Sequence, residues 1–156
     1  MEELTTLIEA SRAGDKEAYS HLVRRFQDMA VGYAYSLLGD FHLAEDAAQE
    51  SFLLAYLDLE GLREPAAFPG WFRRIIHTQC GRQRRRGGPR TEDLEAAEPV
   101  SAGQNPAEAL LAGEPEDQLL RALDALPERD RSIVALFYIS KLTHKEIAAF
   151  LDLPES

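Results

Sequence analysis

The stretch FPGWFRRIIHTQCGRQRRR, Phe68 to Arg86, decides how the chain is read. Stepped at about 100° per residue, Arg73, Arg74, His77, Thr78, Gly81, Arg84 and Arg85 fall within one broad arc, with Phe68, Phe72, Ile75, Ile76 and Gln79 on the other side. That pattern predicts a helix with one packing face and one cationic face. The planar fork of arginine matches phosphate, and Gly81 in the middle of the basic arc lets a backbone approach closely. A plain solvated face gives the same spacing. No acid lies within the stretch to pair with the arginines, however, so nucleic acid is the favoured partner. Trp71 stands at the border of the two faces, either as a platform for an unstacked base or, beside Phe68 and Phe72, as part of the core.

The overall charge hides this surface. The chain has 156 residues and a net charge of -10, which taken alone argues against a polyanionic partner. Yet residues 65–91 hold seven arginines and no Asp or Glu, so this window is +7 and the remainder carries -17. One basic contact face on a body that repels polyanions confines binding to one place and orientation.

Elsewhere the apolar spacing is also helical, and no stretch alternates long enough to make a strand. The fold class is all-α: two small helical domains, residues 1–87 and 115–156, joined by a flexible acidic linker over 88–114. Leu4, Leu7, Ile8 and Ser11 share a face of the first helix, which should stop at Gly14, with Asp15 as the next N-cap. A second helical run carries Ala18, Tyr19, Leu22, Val23 and Phe26, then Met29, Tyr33, Ser36 and Leu37, with a break expected near Gln27 and Asp28. Gly39 and Asp40 repeat the stop-and-restart chemistry before a third run that should reach about Gly61. Two prolines in LREPAAFPG block helix continuation, so Arg63 to Gly70 reads as a loop placed to receive a nucleobase, although an ordinary turn between helices uses the same residues. The fourth helix is expected from Trp71.

On the third helix Asp46, Gln49, Glu50 and Leu53 lie at i, i+3, i+4 and i+7, a polar ridge with one exposed apolar residue. It suits a protein partner that offers Arg or Lys, although an ordinary solvated face has the same spacing. Past the linker, Leu119, Leu120, Leu123 and Leu126 lead to Pro127 at a helix N1 position, followed by Ile133, Val134, Leu136, Phe137 and Ile139. LTHKEIAAFLDLPES then sets Thr143 and Glu146 as a capping box, with Ile147, Ala148 and Leu151 facing inward, which reads as the front half of a helix-turn-helix although many helical hairpins share the pattern.

Other classes of function find little support. The N-terminus is acidic and no long apolar run follows it, so neither secretion nor membrane spanning is expected. The single cysteine, Cys80, fits a reducing compartment, and the cytoplasm is the expected location. His77 and Cys80 are half a metal site without two further ligands at suitable spacing among His21, His42 and His144, so no metal and no cofactor is expected. There is no Gly-rich phosphate loop and no Ser with a positioned His, and Glu45, Asp46 and Glu50 have no apolar pocket to split their pKa values. An enzyme is not expected.

Taken in order, GDKEAYSHLVRRFQDMAVGYAYSLLGDFHLAEDAAQESFLLAY, FPGWFRRIIHTQCGRQRRR and LDALPERDRSIVALFYISKLTHKEIAAFLDLPES resemble a bacterial RNA polymerase sigma factor of the extracytoplasmic-function (ECF) group. The first two are similar to region 2 and the third to region 4. The resemblance implies a transcription initiation factor that binds core RNA polymerase and recognises and melts the minus-ten promoter element. It gives the ridge Asp46, Gln49, Glu50 and Leu53 a partner, the clamp of the largest subunit. It assigns Arg63, Phe68, Trp71, Arg73, Arg74, His77, Thr78, Arg84 and Arg85 to the non-template strand of promoter DNA, and it adds an anti-sigma factor as a candidate partner. Thr78 and Arg82 stand where many members carry Asn and Asp. The sequence ends where the family's helix that reads the minus-thirty-five element should begin, so a truncation within region 4, with that reading lost, is expected. The last segment should then be loosely held or find a substitute partner. The alternative is a sigma-like module that binds polymerase or an anti-sigma partner without initiating transcription. An independent helix-turn-helix repressor is a third reading.

Overall fold

The computed structural model describes residues 2–86 and 115–154, and among them every regular element is helical. In chain order these are α1 (Glu2–Arg12), α2 (Lys16–Leu38), α3 (Phe41–Leu57), two 3-10 turns (Leu59–Gly61 and Pro65–Ala67), α4 (Phe68–Arg86), α5 (Pro115–Asp124), α6 (Glu128–Tyr138) and α7 (His144–Leu151). The linker expected over 88–114 lies outside the described residues, as do the side chains of Leu119 and Leu120.

Local chemistry sets most of the boundaries. Gly14 and Gly39 adopt the left-handed conformation, with φ of 97° and 70°, that ends a helix at little steric cost. Asp15 accepts from the backbone of Glu17 and Ala18, and Asp40 accepts from Leu43, so each restart has its orphan N–H groups capped. At α7 the Thr143 hydroxyl and the Glu146 carboxylate complete the capping box in both directions. Those hydrogen bonds hold the Glu146 carboxyl below the usual range.

Four expected boundaries move. Helix α2 runs without a break through Gln27 and Asp28, which lie on its solvent side. What changes there is the width of the buried face: Ala18, Leu22, Phe26 and Met29 form one stripe, whereas nearly every residue from Met29 to Leu37 is buried. The apparent interruption is the point where a one-sided helix becomes one covered on several sides. Helix α3 stops at Leu57, and the tighter Leu59–Gly61 turn carries Leu59 and Leu62 into the core. Helix α4 begins at Phe68, earlier than expected, because Pro69 sits in the first turn where its missing N–H is no loss. Pro127 is the N-cap of α6 and not N1, with an extended ψ of 150°.

Helix α2 is the axis of the molecule, in contact with α1, α3, α4 and α6. Phe72 of α4 stacks on Phe68 at 5.4 Å and meets Phe52 of α3 at 4.6 Å, and Phe26 meets Phe68 edge-on at 5.0 Å. The same continuous core takes in Leu123, Leu136, Ile147 and Phe150 from α5, α6 and α7. The final helix is therefore not left without a partner: Phe150, absent from the expected inward set, is fully buried edge-on against Tyr33 at 5.4 Å. Phe72→Ala removes a fully buried ring at the α3–α4 junction and should lower unfolding free energy by about 3–5 kcal/mol in a urea titration, with an unchanged m-value.

Candidate nucleic-acid interface

Helix α4 has the two faces its periodicity predicts. Phe68, Phe72, Ile76, Gln79 and Cys80 are buried, while Arg74, His77, Thr78, Arg82, Arg84, Arg85 and Arg86 are exposed. A packed ladder on one side fixes how the basic side is aimed. Burial pushes the Cys80 thiol up to about 12 against a smaller opposing effect of Arg84, so this sulfur stays protonated and serves as packing. Among the described residues no group of three or more His, Cys, Asp or Glu side chains gathers to hold a metal ion.

The basic residues divide by what they touch. Arg63, Trp71, Arg73 and Arg74 line a cleft of about 480 Å³ beneath the loop that runs from Gly61 to Gly70. Arg73 is half-buried and hydrogen-bonds the Tyr33 hydroxyl, while its Nε has no partner. Burial raises the Tyr33 pKa more than this arginine lowers it. Further along, His77 and Arg85 are open to solvent, and the Thr78 hydroxyl donates to the Arg74 carbonyl at 3.0 Å. Arg84 donates to the Leu37 carbonyl at the end of α2, so it is anchored to the body as well as charged.

Phe68 requires a correction. It was expected in a loop against a base, but it is 0% exposed in the first turn of α4, packed on Phe26, Trp71 and Phe72. A ring enclosed by three others has no free face for stacking. Trp71 is half-buried and keeps an edge on the cleft.

A second cleft, about 490 Å³, separates α3 from α4 and is lined by Leu54, Leu57, Trp71 and Ile75 with Arg74 and Arg82 at its rim. Beside it, Asp46 and Gln49 are exposed, Glu50 is half-buried, and Leu53 is 59% exposed. Leu57, 71% exposed, continues the same ridge one turn further on. The spacing i+4 from Leu53 was the available signal for it.

Arg12 is another residue that sequence reading passed over. From the last turn of α1 it donates to the carbonyls of Leu59 and Leu62, tying down the entrance of the loop that roofs the first cleft. A lone arginine at a helix C-terminus reads as a favourable dipole charge, and only the fold brings these carbonyls to it.

An all-helical body with a basic, aromatic-edged helix beside an acidic, leucine-edged ridge fits the class of DNA-handling proteins with a separate protein-binding face. The family models agree with that class: residues 22–90 match sigma-70 region 2 and residues 116–156 match sigma-70 region 4. Over 157 residues the chain is 28% identical to the ECF RNA polymerase sigma factor SigW of Bacillus subtilis, covering 94% of this chain and 84% of that one. It is 31% identical to the ECF RNA polymerase sigma-E factor of Escherichia coli K12, covering 98% and 86%. It is also 31% identical to the probable RNA polymerase sigma factor RfaY of Xanthomonas campestris, of whose length it spans 37%. A solved structure of CnrH in complex with the cytosolic domain of CnrY shares the fold, with a TM-score of 0.60 at 21% identity over 97% of this chain and 84% of that one. The chain belongs to the ECF sigma factors, the sigma-70 family members that direct transcription initiation.

Helix α1 lies outside both family matches, yet it holds the loop through Arg12. Arg12→Ala leaves two buried-end carbonyls without their charged donor and should cost about 1.5–3 kcal/mol of stability, read as a shift of the urea midpoint.

Proposed function

We propose that this sigma factor docks on core RNA polymerase through the α3 ridge and holds the non-template strand of an opened minus-ten element in the cleft beside α4. The observation that carries the reading is the division of α4 into a fully packed face and an exposed arginine face next to a cleft edged by Trp71. Arg63, Arg73 and Arg74 in the cleft, with His77, Thr78 and Arg85 further along α4, follow the backbone of the strand, and Trp71 offers its edge to an unstacked base. Arg84, anchored on Leu37, adds charge without free reach. No bond of the DNA is broken: stacking and phosphate contacts offset the unpairing, so the role is not enzymatic.

Asp46, Gln49 and Glu50 supply the polar contacts to the polymerase clamp, with Leu53 and Leu57 as apolar anchors. Residues 1–87 act as the region 2 domain and 115–156 as the region 4 domain, with 88–114 as the linker. The cytoplasm is the compartment this role requires, and among the described residues no helix is long and apolar enough to cross a membrane. The likeness to CnrH, solved with the cytosolic domain of CnrY, supports a regulatory protein partner of the anti-sigma kind.

Two measurements test the assignment. Glu50→Lys reverses charge at the centre of the ridge and should weaken binding to purified core polymerase at least about tenfold, without changing the urea midpoint by more than about 0.5 kcal/mol. Failure to bind core in the parent chain, or indifference to this change, overturns the docking face. Arg85→Ala should weaken binding of single-stranded promoter DNA across sequences and lower the log–log salt slope by about 0.7. An unchanged slope removes Arg85 from the path of the strand.

A further inference from the structure

Helix α1 lies outside both family matches, yet one of its side chains reaches the loop that forms a wall of the strand-binding cleft. Leu62, Arg63 and Glu64 line the loop side of that cleft, with Trp71, Arg73 and Arg74 on the α4 side. Arg12 donates from Nε to the Leu59 carbonyl at 3.3 Å and from Nη2 to the Leu62 carbonyl. We propose that Arg12 is a positioning residue for strand binding: by holding the Leu62 carbonyl, it presents Arg63 in place of Glu64 to the backbone of the bound strand. This inference rests on the strand-binding reading and adds to it a residue from another helix.

The charge order of the loop makes its orientation matter. Arg63 and Glu64 are consecutive, oppositely charged, exposed and both on the cleft. A phosphate attracts the first and is repelled by the second, and their Cα atoms stand only about 3.8 Å apart. A rotation of the segment about its own axis therefore exchanges attraction for repulsion without moving the loop as a whole. Leu62 and Glu64 are both extended, with ψ of 111° and 114°. The Leu62 carbonyl belongs to the planar peptide unit that ends at the Cα of Arg63. Holding this oxygen fixes ψ of Leu62, and with it the direction in which Arg63 leaves the chain.

Arg12 has the fixed base and the rigid tip that such a strut needs. Leu4 and Ile8 bury α1 against the core, and the Ser11 hydroxyl donates to the Leu7 carbonyl at 2.6 Å. Just past Arg12 the helix end is closed: Gly14, at φ 97°, donates to the Ser11 carbonyl at 3.1 Å, and Asp15 donates to that of Ala10 at 3.0 Å. At the tip, Nε and Nη2 share one edge of the guanidinium plane, two donors in a fixed fork that meets two carbonyls at once. The 3-10 turns on either side of the extended piece close on themselves, Leu62 N–H on Leu59 and Ala67 N–H on Glu64. The piece between them takes its orientation from the buried Leu62 side chain and from Arg12. Helix α1 also packs on the Pro65–Ala67 turn, so both ends of the segment are referred to the same helix.

The test uses the full chain assembled with excess core RNA polymerase and a fluorescein-labelled single-stranded deoxyoligonucleotide of mixed sequence. Binding is read by anisotropy over a range of salt, with core alone as the blank. Arg12→Lys keeps the charge and the stem and removes the fork. It should weaken oligonucleotide binding about three- to tenfold at low salt and lower the log–log salt slope by about 0.7, the loss of one phosphate contact, with core binding unchanged. Loss of stability alone leaves that slope where it was, and lysine leaves no loss of charge to explain it. Added to Arg63→Ala, the same change should have no further effect, and Glu64→Gln added to Arg12→Lys should restore part of the affinity. Arg12→Gln carries the test if Arg12→Lys fails to fold; if neither folds, Arg12 serves folding and the positioning role is overturned. It is also overturned if Arg12→Lys binds the oligonucleotide as the parent does, weakens it equally with and without Arg63, or weakens core binding by the same factor. In those cases the strand-binding reading stands as long as Arg63→Ala and Arg74→Ala weaken binding. If these two leave it unchanged, the strand-binding reading fails and the positioning role fails with it.

Discussion

The burial of α2 on several sides is the constraint from which the rest of the structure follows. Its first half presents a single stripe, and its second half is enclosed by α3 and α4 on one flank and α6 on another. Such a helix needs small residues wherever backbones come close, and Ala30, Gly32 and Ala34 supply them between Met29, Tyr33 and Leu37. Because both flanks pack on the same segment, whatever shifts α6 and α7 does so against a surface that also supports α3 and α4.

That shared support explains how an acidic protein keeps one usable basic face. The arginines of α4 are aimed by Phe68, Phe72, Ile76 and Gln79 locked beneath them, so their charge does not fold back onto the acidic body. The exposed ridge on α3 is oriented by the same interlayer through Phe52 and Ala55. The α3 ridge and the basic face of α4 are thus held on two neighbouring packed helices. Trp71 borders both clefts and lies where the two faces meet.

Much of this was legible in the sequence where the governing chemistry is local. Asp15, Gly39, Asp40 and the Thr143–Glu146 box were recognisable because a cap acts within four residues. The two faces of α4 followed from its period, and the ordered motifs gave the family. What escaped was set by distant packing. Periodicity assumes that one face meets solvent, and Met29 to Leu37 has little such face, so the pattern does not display the continuity of α2. Prolines usually end helices, so the pattern sets Phe68 in a loop, whereas Pro69 lies in the first turn of a helix here. The burial of Phe150 and the reach of Arg12 depend on surfaces more than forty residues away in the chain, which no window of sequence contains.

One contact between the two helical units bears on how readily they part. Ser36 of α2 and Ser132 of α6 meet at 2.9 Å, both buried where the two helices pack. Each hydroxyl also lies within reach of a carbonyl of its own helix, Tyr33 for Ser36 and Glu128 for Ser132. While the helices touch, one of the two protons is turned across the seam. When they separate, it swings back to its own carbonyl, and neither oxygen is stranded. The joint therefore fixes the lateral register of the two surfaces while adding little to the energy that holds them together. It behaves as an alignment pin and not as a clasp.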